Sequence, residues 1–253
     1  MAVDDGNTVA LLHCDGADTS TTFTDESGKI WTARVNAQLD TAQKKFGTAS
    51  GIFDVGEADS ISTPDHADFD FDSGDMCIDL QIRFASVADY QWIYTQDADD
   101  GGNNYILLYW VTDNKVYFQT KLGGVVQHDT TWAWTPVANT WYHFELNRDG
   151  DNFKMFIDGT QIGGTYNDAS DWPNVAASVF VGGRLIGGSK SVYGWLDEIR
   201  ITKGIYRHTA NFTSPTAPYT HRPPGVKSVN EILSPKSMNE IDWGDIKALQ
   251  GLA

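Results

Sequence analysis

Residues 140–164 read TWYHFELNRDGDNFKMFIDGTQIGG, and this stretch decides the fold. Trp141, His143, Glu145 and Asn147 alternate with Tyr142, Phe144 and Leu146. Successive strand side chains point to opposite faces, so one face is aromatic or apolar and the other polar. Asp149-Gly150 supplies the positive φ of a hairpin turn. Phe153, Met155 and Ile157 resume the alternation, Asp158-Gly159 makes a second turn, and Gln161-Ile162 begin a third strand. The pattern predicts a meander of antiparallel strands.

Working outward, Thr8–Cys14 reads as a first strand, with further short strands at Ser50–Val55 and Ile61–Thr63. Residues 19–48 read as loop with weak pairing. In 76–84, Met76, Ile78, Leu80, Ile82 and Phe84 face one way and Cys77, Asp79, Gln81 and Arg83 the other, which predicts a covered face and a wetter one. Strands are expected at 91–95, 105–111, 115–121, 125–128, 177–181 and 194–202, with no helical period before residue 220. About a dozen strands and short turns give an all-β sandwich or jelly roll.

Three stretches together resemble laminin-G-like, concanavalin A-like jelly rolls of the kind found in bacteriophage virion proteins: 141–150 with 155–159, Asp68–Asp75 running into 76–84, and Gly194–Thr202 followed by Gly204, Tyr206, Asn211-Phe212-Thr213, Pro215 and Pro218. The resemblance spans about residues 9–220 and implies a two-sheet antiparallel jelly-roll sandwich. It also implies a structural Ca2+ between the end of the first strand and the last strand, with Asp15 and Asp197 at the matching positions and Asp18 beside them. Asp197 shares its strand parity with Trp195, Ile199 and Ile201. A carboxylate on a core face must be paired, hydrogen-bonded or metal-bound; the alternative to calcium is bonding to loop N–H groups or an Arg.

The 253 residues are expected to form one sandwich, 1–221, and a linker with a docking tail, 222–253. Pro223-Pro224 breaks strand pairing. Asp242 then caps a short helix candidate, and Ile241, Trp243, Ile246, Leu249 and Leu252 are costly to leave in water, so they read as a surface for docking on a partner. That tail resembles the ends of phage structural proteins. A net charge of −16 argues against nucleic acid and anionic membrane as partners. The start, Met1–Asp5, has no basic and no apolar region, so no secretory leader is expected, and no apolar run is long enough to span a bilayer. Cys14 and Cys77 read as buried free thiols.

Chemistry is sparse. Jelly-roll glucanases carry two or three carboxylates on one strand face, and here Glu145-Leu146-Asn147 has Asn where the second acid belongs. No nucleophile elbow, zinc-protease or phosphate-loop string is present. Trp132, Trp134 and Trp172 lie in loop-like or edge segments and are the candidates for stacking on sugar rings, against core packing as the alternative. The functional expectation is a non-enzymatic virion protein, a decoration or tail-associated module. It would be made in the host cytoplasm, displayed outward towards host-surface glycans, and attached through its tail to other virion proteins or sister copies. A free lectin and an atypical glycoside hydrolase are the alternatives.

Overall fold

The computed structural model describes residues 6–54, 58–184 and 190–220. Its strands in chain order are β1 (Thr8–Leu12), β2 (Thr22–Phe23), β3 (Trp31–Arg34), β4 (Gln38–Asp40), β5 (Ser50–Phe53) and β6 (Ser60–Thr63). A 3-10 turn, Ala67–Phe69, precedes β7 (Met76–Phe84), β8 (Gln91–Asp97), β9 (Tyr105–Val111), β10 (Lys115–Leu122) and β11 (Val125–Ala133). There follow β12 (Trp141–Asp149), β13 (Asn152–Ile157), β14 (Thr160–Asn167), β15 (Val179–Val181), β16 (Gly183–Arg184), β17 (Lys190–Ser191) and β18 (Gly194–Lys203).

Two antiparallel sheets pack face to face as a jelly-roll sandwich. The first runs β14-β13-β12-β7-β18-β5-β4, with β1 also paired to β18; the second runs β11-β10-β9-β8-β15-β6-β3-β2. The meander expected from residues 140–164 is β12-β13-β14, with Phe144 opposite Ile157 and Leu146 opposite Met155. Phe144, Leu146, Ile78, Leu80 and Ile82 of the first sheet meet Ile106, Leu108, Trp110, Val116 and Phe118 of the second in a dry core. Each such side chain contributes about 1.5–3 kcal/mol by leaving water. The segment read as loop, 19–48, instead contributes β2, β3 and β4, held by cross-strand pairs too short to register as a sequence period.

The three candidate stacking tryptophans belong to this core, which corrects their reading as exposed platforms. β11 runs on to Ala133, so Trp132 is a strand residue, 2% exposed, and its Nε1 donates to the Gly164 carbonyl of the other sheet's edge strand at 3.0 Å. Trp134 packs against Phe84, Tyr142 and Phe144. Trp172 is ringed by Phe71, Tyr94 and Phe118. None of the three presents a ring face to solvent. Cys14 and Cys77 are buried free thiols.

A second correction concerns β18. Its pairing with β7 slips by one residue: Asp197 lies opposite Gln81 and Arg200 opposite Asp79. The extra residue is a bulge at Glu198, whose φ is +49°. The bulge reverses the parity, so Leu196, Ile199 and Ile201 all reach the core while Asp197 and Arg200 share the outer face with Gln81 and Asp79. No carboxylate intrudes among the core isoleucines.

Candidate functional site

The outer face of the first sheet is laid out in three cross-strand rows over β12, β7 and β18: His143, Gln81 and Asp197; Glu145, Asp79 and Arg200; Asn147, Cys77 and Thr202. All nine residues are at most 2% exposed. The face expected to be wet is covered by residues 204–219, which leave β18 and cross the sheet. Arg207 N–H donates to Asn147 Oδ1 at 2.9 Å, and Phe212 N–H donates to the Gly159 carbonyl at 2.8 Å. Tyr219 N–H then donates to Glu198 Oε2 at 2.7 Å.

The buried charge of the middle row is paired. Arg200 donates to both oxygens of Asp79, at 3.0 and 2.6 Å. Burial alone would raise the Asp79 pKa, but the Arg200 charge and hydrogen bonds from His143 and Arg200 carry it well below the usual carboxylate range. The Arg200 guanidinium lies 3.8 Å from the Tyr219 ring centroid. Glu145 accepts from Asn147 Nδ2 and from His208 Nδ1 at 2.9 Å. His143 Nε2 is 2.9 Å from the Tyr219 hydroxyl. Between the middle row and residues 212–219 lies a cavity of about 400 Å3.

One ligand atom each from Cys77, Asp79 and Glu145 lie within 4.8 Å of one another, the one group of three among the described residues placed to hold a metal ion. Both Asp79 oxygens already face Arg200, and burial raises the Cys77 thiol well above its ordinary value. Asp15, Asp18 and Asp197 do not form such a group. Each binds the segment after β4: Asp15 accepts from Thr48 and Ala49, Asp18 from Thr41, and Asp197 Oδ2 from the Lys45 and Phe46 N–H groups at 2.8 and 3.0 Å. This is the loop bonding weighed as the alternative to calcium. One atom is left over. Asp197 Oδ1 is buried with no partner, and burial pushes that carboxyl up to about 7 against the pull of the two N–H groups. A proton or a cation fits it.

The outer face of the second sheet is different. Trp92, Tyr109 and Tyr117, on three adjacent strands, stack with centroids 4.3 and 5.2 Å apart, and Arg184 covers Trp92 at 5.0 Å. Tyr109 and Tyr117 are half-buried. Beside them the Tyr109 hydroxyl donates to Gln119 at 2.7 Å, and Gln119 donates to Asp129 at 2.9 Å. Sequence reading placed a strand at 105–111 without assigning its faces. The signal was there in Tyr105, Leu107 and Tyr109 alternating with Ile106, Leu108 and Trp110. The docking residues Ile241, Trp243, Ile246, Leu249 and Leu252 lie outside the described residues.

Fold and sites define a two-sheet β-sandwich with one self-covered face and one aromatic face. Residues 55–206 match the concanavalin A-like lectin/glucanases superfamily, and the chain belongs to it. No curated protein matches the sequence. Among solved structures, the chain is similar to the binding domain of Paraclostridial Mosquitocidal Protein 1 (16% identity, 80% of this chain and 50% of that one, TM-score 0.59). It is similar to the receptor binding domain of botulinum neurotoxin D (13%, 80% and 50%, 0.57). It is also similar to domain 4 of a GH43 extracellular arabinanase from Geobacillus stearothermophilus in complex with arabinotriose (18%, 79% and 94%, 0.58). The chain thus spans half the length of the two toxin domains. Among the described residues no helix is long and apolar enough to cross a membrane.

Proposed function

We propose that the chain is a non-enzymatic, lectin-like binding module of a virion, a capsid-decoration or tail-associated protein. It faces outward to host-surface glycans and attaches through residues 222–253 to other virion proteins or sister copies. The observation that carries the binding half is the half-buried pair Tyr109 and Tyr117, backed by the buried Trp92, with the hydrogen-bonding neighbours Gln119 and Asp129. Sugars pair apolar C–H faces with hydroxyls, and such a strip offers partners to both. The toxin binding domains and the arabinotriose-bound domain support a binding role for this fold. The attachment half rests on the apolar side chains of Ile241, Trp243, Ile246, Leu249 and Leu252 and on the likeness to phage tails.

A hydrolase finds less support. Oxygens of Asp79 and Glu145 are close enough for a retaining pair, but both side chains are fully buried and committed to Arg200, Asn147 and His208. Calcium enters this reading as a brace at Asp197 and Asp15.

The test is a glycan array on the full chain and on two variants. Tyr109→Ala with Tyr117→Ala removes glycan binding with the fold intact, and deletion of 222–253 removes particle or oligomer association with glycan binding intact. Glycan binding untouched by the tyrosine changes, or assembly untouched by the deletion, overturns the corresponding half. Polysaccharide turnover lost in Glu145→Gln overturns the non-enzymatic reading.

A further inference from the structure

Cys77 lies on the covered face of the first sheet with its thiol idle. The residue is 0% exposed, and among the described residues its Sγ has no hydrogen-bond partner, whereas Cys14 Sγ donates to the Leu12 carbonyl. The thiol has two carboxylates for neighbours: one ligand atom each from Cys77, Asp79 and Glu145 lie within 4.8 Å of one another. In a tetrahedral zinc site, metal bonds of about 2.0–2.3 Å set adjacent oxygen and sulfur ligands roughly 3.4–3.6 Å apart. About 1 Å of side-chain movement therefore draws the three atoms onto one ion. His143 supplies a fourth donor, its Nε2 3.6 Å from Asp79 Oδ2 and 3.9 Å from Glu145 Oε2. The metal takes that nitrogen's lone pair from the Tyr219 hydroxyl.

Charge balance selects the ion. With both histidines neutral, two ionised carboxylates against Arg200 leave one negative charge uncompensated in a dry row. Burial raises the Cys77 thiol well above its ordinary value, and Glu145 and Asp79 add to the effect, so the thiol keeps its proton while no cation is beside it. A divalent cation in place of that proton brings the sum to zero: three anionic ligands, one guanidinium and two metal charges. The proton leaves to solvent. Sulfur selects against the hard ions, since Ca2+ and Mg2+ take oxygen, whereas zinc accepts thiolate, imidazole and carboxylate together. Arg200 is compatible with this. It uses one lone pair on each Asp79 oxygen, leaves the others, and fixes the carboxylate as an outer-shell partner does. Asn147 and His208 hold Glu145 in the same way. Asp79, His143 and Glu145 also line the cavity under residues 212–219, which gives the ion a way in. We propose that Cys77, Asp79, Glu145 and His143 form a zinc-binding site that braces β7 against β12 beneath the covering segment. The site is separate from Asp197 and from the Tyr109–Tyr117 face, and rests on neither reading.

The test uses cobalt as the probe. The full chain is refolded with Co2+, so that burial does not bar entry, and its near-ultraviolet absorption is followed. Thiolate-bound Co2+ gives an intense charge-transfer band that oxygen and nitrogen ligands do not. The band is expected to saturate at one equivalent, to be bleached by Zn2+, and to survive excess Ca2+. The chain has two cysteines, so the band persists in Cys14→Ser and disappears in Cys77→Ser, with melting temperatures measured alongside. Glu145→Gln weakens Zn2+ binding at least about tenfold. Zn2+ raises the wild-type melting temperature with concentration. The proposal is overturned if the refolded wild type shows no band, if folded Cys14→Ser loses it, or if folded Cys77→Ser keeps it. The Cys14→Ser arm decides the matter even where Cys77→Ser does not fold.

Discussion

Arg200 and Asp79 face each other across β18 and β7, joined by two hydrogen bonds under a lid made by Tyr219. The pair exists because the bulge at Glu198 turns Arg200 out of the core parity. Removing one partner strands a buried charge. Asp79→Ala and Arg200→Ala are each expected to cost about 3–5 kcal/mol in urea unfolding, and the double variant less than the sum. Single losses below about 1 kcal/mol would show that the pair is not a closed unit.

Trp172 is expected to behave as a core residue. It stacks on Phe118 at 5.2 Å and meets Phe71 edge-on at 5.1 Å, at 1% exposure. Trp172→Ala should cost about 3–5 kcal/mol, with Trp132→Ala similar. A folded, near-native Trp172→Ala protein that had lost only glycan binding would restore the stacking role.

What the sequence made legible follows from what alternation encodes. Period two located β7 and β12 and named their core residues, because Ile78, Leu80, Phe144 and Leu146 repeat without interruption. It could not say what covers the other face. Asp79, Gln81, His143 and Glu145 look solvent-facing until residues 204–219, which form no described strand, are laid over them. Alternation also fails across a bulge: with one extra residue at Glu198, Asp197 shares a face with Arg200, where strict parity sets the two on opposite faces. The tryptophans were misplaced for a related reason. They read as loop or edge residues, but Trp132 is the eighth residue of a nine-residue strand and Trp172 makes an isolated bridge to Asp72.

Gly159 ties the covering segment to the meander. Its φ is +74°, its carbonyl accepts from Phe212 N–H, and a Cβ there would overlap the Phe212 carbonyl oxygen. Gly159→Ala is expected to loosen residues 207–219 more than the core, destabilising the protein by about 1–3 kcal/mol. Hydrogen exchange should show faster exchange at Phe212 and Tyr219 than at Leu146. Uniform loss of protection would contradict a separable cover.

Calcium is tested by the leftover Asp197 oxygen. A cation bound only to the native state raises its melting temperature with concentration. With calcium held by Asp197 and Asp15, millimolar Ca2+ should raise the melting temperature by several degrees, and Asp197→Asn should remove the gain. A chelator that leaves the wild-type value unmoved, with added calcium equally without effect, would leave Asp197 as a ligand for the Lys45 and Phe46 N–H groups alone.

His128 contributes an acid-sensitive part of the stability, opposite in sign to that of the raised Asp197 carboxyl. Its Nδ1 pairs with Thr120 Oγ1 at 2.8 Å, its ring lies among Phe118, Phe153 and Tyr166, and its Nε2 is buried without a partner. Burial lowers its pKa to about 4, Arg148 adds to the effect, and Asp168 and Asp171 oppose it. The unfolded chain therefore binds this proton more readily than the folded one. Stability from this group is complete above about 6.5 and is lost as pH falls towards 4. His128→Gln keeps a polar group beside Thr120 but cannot take up the charge. Melting curves from pH 7.5 to 4 should show a shallower decline in that variant than in the wild type. Parallel declines would place the acid sensitivity in other groups, since the variant lacks the one proton at issue.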